Sequence, residues 1–79
     1  MRHGEAMRHV KTRLRVMKPE DRFKSKELAL DIAEEVGCPV SSFKVAVCLS
    51  KLKDNDFVKR IYVPMGSDDW QVQSKVIML

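Results

Sequence analysis

The sequence predicts a small α+β domain of three helices and an antiparallel hairpin, on three observations. Three stretches repeat apolar residues at steps of three and four, the spacing of a single helix face. Two later stretches, "VKRIYV" and "WQVQ", alternate instead, as strands do, and the turn residues "PMGSDD" separate them. Between the second and third helical stretches stands "GCPV", where Pro39 cannot continue a helix and forces a sharp turn.

The first helix is expected over residues 5–17, with Met7, Val10, Leu14 and Met17 forming its apolar stripe. Pro19 favours an extended backbone at Lys18 and so ends it there. "DRFKS" reads as a short extended piece with Phe23 turned inward and Arg22 and Lys24 outward. Ser25 is the expected N-cap of the second helix, because its hydroxyl can accept a free amide of the first turn. Leu28, Ala29, Ile32, Ala33 and Val36 give that helix a buried side, with Glu27, Asp31, Glu34 and Glu35 on its wet side. Gly37 supplies the left-handed residue that closes it.

Ser41 or Ser42 caps a third helix running to about residue 54. At about 100° per residue, Val45, Cys48, Leu49 and Leu52 fall together, and Phe43, Val47, Ser50 and Asp54 lie opposite them. "DNDF" is a turn. In the hairpin, Trp70 and Val72 point inward and Gln71 and Gln73 outward, with Trp70 and Tyr62 expected to pack the core and the wing. Helix, short strand, helix, tight turn, helix and hairpin is the order of a winged helix-turn-helix. It places the helix-turn-helix over about 25–54 and the wing over about 57–74, in a single domain spanning 1–79.

Composition narrows the function classes. Apolar residues at 44% and charged residues at 33% fit a folded, soluble chain, and 79 residues allow one modest core. No apolar run reaches the length of a membrane span and the N-terminus lacks a signal-peptide core, so the expected compartment is the cytoplasm, with no membrane partner. Cys38, Cys48, His3 and His9 show none of the paired spacings of a zinc site. No phosphate loop and no set of nucleophile, base and orienting residue can be found, so neither an enzyme nor a cofactor is expected.

The formal charge is +4, unevenly spread. Residues 1–18 hold six basic residues against Glu5, a net +5; residues 19–40 hold three against six acids, a net −3. Residues 41–63 hold five against two, a net +3, and the remainder is −1. Base clustered at two places around an acidic middle suggests a face for a polyanion.

The stretch "FKSKELALDIAEEVGCPVSSFKVAVCLSKLKDNDFVKRIYV", residues 23–63, resembles the winged helix-turn-helix core of small prokaryotic transcriptional regulators, including the multiple-antibiotic-resistance type. The likeness lies in the "SKELA" and "VSSFKV" helix openings and in "LSKLKDNDFVKR", the leucines, turn and charged strand exit. It implies that the third helix enters the major groove, directing Ser42, Lys44, Ala46, Val47 and Lys51 at DNA. It also sets Ser25, Lys26 and Ser41 near phosphates, and Lys59 and Arg60 within reach of the backbone at the base of the wing. Two positions depart from the pattern: Asp56 stands at the usual turn glycine, and the wing tip "PMGSDDW" carries two acids that should repel phosphate.

Double-stranded DNA is therefore the expected partner, bound by Lys26, Ser41, Ser42, Lys44, Val47, Lys51, Lys59 and Arg60, with Arg8 and Arg15 of the first helix added for their charge. The third helix offers no Arg, Asn or Gln to its outer side, so strong base discrimination is not expected. Three environments stay open for Phe43 and Val47: a thymine methyl, cover by the second helix, or another protein. The last would make the chain a winged-helix interaction module in a larger complex. An accessory nucleic-acid binder without sequence preference is a third reading. A homodimer is expected through the first helix or through the apolar tail "KVIML".

Overall fold

Helix α1 (His3–Arg15) forms where Ala6, Val10 and Leu14 recur at four-residue steps, and all three are fully buried. The computed structural model describes residues 2–73 of the chain. α1 begins two residues earlier than the apolar stripe predicts and ends two earlier. The small Ala6 takes the central line, and Met7 and Met17 pack beside it, half-buried. The turn after α1 places Pro19 second and Glu20 third, at φ +74, and the Asp21 amide donates to the Lys18 carbonyl at 3.1 Å.

Strand β1 (Arg22–Phe23) leads straight into α2 (Ser25–Val36). Its N-cap is Lys24 rather than Ser25, which is the first helical residue. The Lys24 amide donates to Glu27 Oε1 at 3.1 Å, so the acid three residues on closes this end instead of a serine hydroxyl. Leu28, Ala29 and Ile32 are buried as the spacing predicts. Gly37, at φ +77, turns the chain out of α2 and donates its amide to Ala33 at 2.9 Å.

Helix α3 (Ser42–Asp54) starts at Ser41, whose side-chain oxygen accepts the Lys44 amide at 3.3 Å. Val45, Cys48, Leu49 and Leu52 form its buried line. Its end closes through two reverse bonds, Asp56 N–H to Lys53 O at 2.9 Å and Phe57 N–H to Leu52 O at 3.0 Å. Asp56 is left-handed, at φ +63, and Phe57 packs against the core. That is a Schellman closure with aspartate in the place glycine usually takes.

Strands β2 (Val58–Ile61) and β3 (Asp69–Val72) make the predicted hairpin, and β1 joins its far side, giving an antiparallel sheet in the order β1-β3-β2. Trp70 lies between Phe23 and Arg60, and Val72 lies opposite Val58. Trp70, Phe23, Val58 and Val72 are all buried against the helices. Tyr62 falls just past β2 and is 75% exposed, so unlike Trp70 it does not enter the core. Three helices against a three-stranded antiparallel sheet make an α+β fold in the winged-helix arrangement. The tail "KVIML" lies outside the described residues.

Candidate nucleic-acid interface

The outer side of α3 follows from its buried one. With Val45, Cys48, Leu49 and Leu52 turned to the core, Phe43, Val47, Ser50 and Asp54 are carried to the opposite side. Phe43 is 77% exposed, so α2 does not cover it, while Val47 and Ser50 are half-buried. Lys44, Val47 and Lys51 run along one edge of this face at steps of three and four. Cys48 lies beneath them. Burial pushes its thiol pKa up, against the opposing pull of the Lys51 and Lys44 cations.

Ser41 and Ser42 are both exposed at the N-terminus of α3. The Ser41 oxygen already accepts the Lys44 amide, which leaves its O–H able to donate. Lys26, in the first turn of α2, is exposed. A groove of about 370 Å³ separates α3 from the wing, lined by Ser25, Ala46, Arg60, Ser67, Asp68 and Trp70 among others.

The wing behaves differently from its sequence. Asp68 and Asp69 do not stand bare at its tip, because each has its own cation. Arg60 Nε donates to Asp68 Oδ2 at 2.6 Å, with its guanidinium carbon 5.5 Å from the centre of the Trp70 ring. Lys24 Nζ donates to Asp69 Oδ1 at 2.7 Å and to the Ser67 carbonyl at 2.8 Å, and Arg22 donates to Asp69 Oδ2 at 2.9 Å. These partners hold the Asp69 carboxyl below the usual carboxylate range, the Lys24 hydrogen bond contributing most. The repulsion expected of the wing acids is thereby largely cancelled inside the protein.

Strand alternation also separates Lys59 from Arg60. Arg60 shares the sheet face of its cross-strand partner Trp70 and borders the groove, whereas Lys59 sits across from Gln71 on the other face. The two therefore leave the strand from opposite faces of the sheet.

The α1 cations are likewise not on the α3 face. Arg8 and Arg15 lie opposite the buried line of α1 with the half-buried Lys11 on the flank beside them, while Arg13 turns toward α2 and pairs with Asp31 at 3.4 Å. On the same flank, His9 Nδ1 lies 3.6 Å from Glu35. α1 and α3 bury their inner faces in one shared core, so their outer faces diverge. The basic residues that the charge count grouped together therefore lie on two faces of the molecule. Lys11 belongs with Arg8 and Arg15 and is absent from the residues expected from sequence. The helical-wheel arithmetic used for apolar residues finds it when applied to basic ones.

Fold and site together define a small winged-helix domain whose α3 carries serines, lysines and an apolar strip to its surface. No family model, curated protein or solved structure matches the chain. Among the described residues no helix is long and apolar enough to cross a membrane.

Proposed function

We propose that the protein binds duplex DNA through α3 as a transcriptional regulator, with phosphate contacts supplying most of the affinity. The observation that carries this reading is the uncovered outer face of α3, capped by exposed serines and edged by Lys44 and Lys51. Serine hydroxyls and amides at a helix start, with ammonium groups along its edge, suit phosphate oxygens. Lys26 at the start of α2 adds a third ammonium group. Base reading is limited, since the outer face offers Phe43 and Val47 to thymine methyls and no bidentate side chain. Arg60 contributes little while Asp68 holds it.

Fluorescence anisotropy on labelled duplexes tests this. Lys44→Gln and Lys51→Gln each weaken binding by a similar factor on unrelated sequences, and each lowers the salt slope by about one. Unchanged slopes in both variants refute the reading. The exposure of Phe43 favours a second one, a winged-helix interaction module in a larger complex. Phe43→Ser separates the two readings. DNA affinity kept within about twofold leaves that side chain for a protein partner, and a loss of about tenfold, roughly 1.4 kcal/mol, assigns it to DNA.

A further inference from the structure

We infer that the outer face of α1 is a second phosphate-binding surface, so that one molecule holds two duplex segments, one on α3 and one on α1. This rests on the DNA reading of α3 and extends it from binding to bridging. Arg8 and Arg15 stand opposite the fully buried line of Ala6, Val10 and Leu14, with the half-buried Lys11 on the flank beside them. With Gly4, Met7 and Thr12 they line a shallow groove of about 260 Å³, and none of the described residues lining it is acidic. A side chain at Gly4 would meet nothing within 4 Å, so the helix backbone there is open to a ligand. Two acids of α2, Asp31 and Glu35, are engaged elsewhere, by Arg13 at 3.4 Å and by His9 at 3.6 Å.

The spacing fits a phosphate backbone. From Arg8 to Arg15 is seven residues, about 10 Å along the helix axis, close to three phosphate steps at about 3.4 Å of duplex axis each. Charge rather than shape makes the match, so the surface takes DNA of any sequence. An anionic membrane is a poorer occupant, because the strip offers for insertion only the half-buried Met7 and, at the helix end, the small Val16. One duplex does not serve both faces. The body measures 33 × 28 × 19 Å, and DNA with a persistence length of about 150 bp does not wrap something so small without help.

The test uses the full chain, a biotin-tethered duplex on beads and a fluorescent duplex of unrelated sequence, at low salt. The wild-type protein retains the fluorescent duplex, with a salt slope of about −1.8 for its capture from Arg8 and Lys11. Arg8→Glu with Lys11→Glu lowers that capture by about tenfold or more, yet leaves anisotropy binding of a single free duplex within about threefold. Arg8→Lys with Lys11→Arg keeps capture, and circular dichroism melts confirm that both variants fold. Several results overturn the inference: no second duplex retained by the wild type, capture undiminished in the reversed variant, or a dimer in sedimentation without DNA, which would bridge through two α3 faces. Binding to phosphatidylserine-rich vesicles with no second duplex captured does so too. Absence of single-duplex binding removes the α3 reading as well, whereas normal single-duplex binding without capture removes this inference alone.

Discussion

Replacing Asp56 with glycine stabilises the protein. Asp56 closes α3 in a left-handed conformation, φ +63, with its amide on Lys53 O and the next amide on Leu52 O. A side chain there costs about 1–2 kcal/mol, and aspartate belongs at the low end because its short polar group tolerates this region. Its carboxylate also sits at the negative end of α3, which adds about 0.3 kcal/mol. Glycine gives back about 0.5–1 kcal/mol through the greater freedom of the unfolded chain. The balance favours glycine by about 0.3–0.8 kcal/mol, which in a domain of this size raises Tm by about 1–6 °C. Thermal melts followed by circular dichroism read it. Asp56→Asn separates the charge from the backbone and should gain only a few tenths, about 0.3 kcal/mol. Asp56→Ala should lose stability. A glycine variant that melts at or below wild type refutes the strain account of this turn.

Other expectations concern the wing. Trp70→Ala removes a buried ring between Phe23 and Arg60 and costs about 3–5 kcal/mol, enough to unfold a domain of this size. Tyr62→Ala, at an exposed position, stays within about 0.5 kcal/mol of wild type in a urea titration. The Asp69 ion pairs set a pH dependence. Because the folded-state pKa is lowered, their contribution is fully present above the unfolded carboxylate value, about pH 4, and is lost as pH falls through the lowered value. Melts of wild type and Asp69→Asn should therefore differ at neutral pH and converge in acid, and a gap that persists in acid contradicts this.

The helices were legible because their burial repeats locally. Val10, Leu14, Leu28, Ile32, Val45 and Leu49 are apolar at helical spacing, and each is buried as that spacing predicts. Ser41 and Gly37 were legible because capping is a matter of a few neighbouring residues. Ala6 was not, because a small side chain adds little to an apolar stripe even at its centre. Pairing of β1 with β3 joins residues some fifty positions apart, and no local pattern encodes it. The wing acids show the same limit. "SDDW" looks repulsive in isolation, yet the cation that neutralises Asp69 most strongly, Lys24, is 45 residues away. The candidate site was legible as residue types on α3 but not as geometry. Period-two alternation within "VKRI" already implies that Lys59 and Arg60 diverge, whereas the separation of the α1 and α3 faces depends on how the helices share a core.

The central claim is that α3 meets DNA through a small number of phosphate contacts. Its most direct test is the salt dependence of wild-type binding to two short duplexes of unrelated sequence, each too dilute to be bridged. Three ammonium groups, Lys26, Lys44 and Lys51, predict a slope of log K against log salt of about −2.7, similar for both duplexes. A slope near zero, or no binding at low salt, contradicts the claim. A preference of about a hundredfold or more for one duplex contradicts its phosphate-led form.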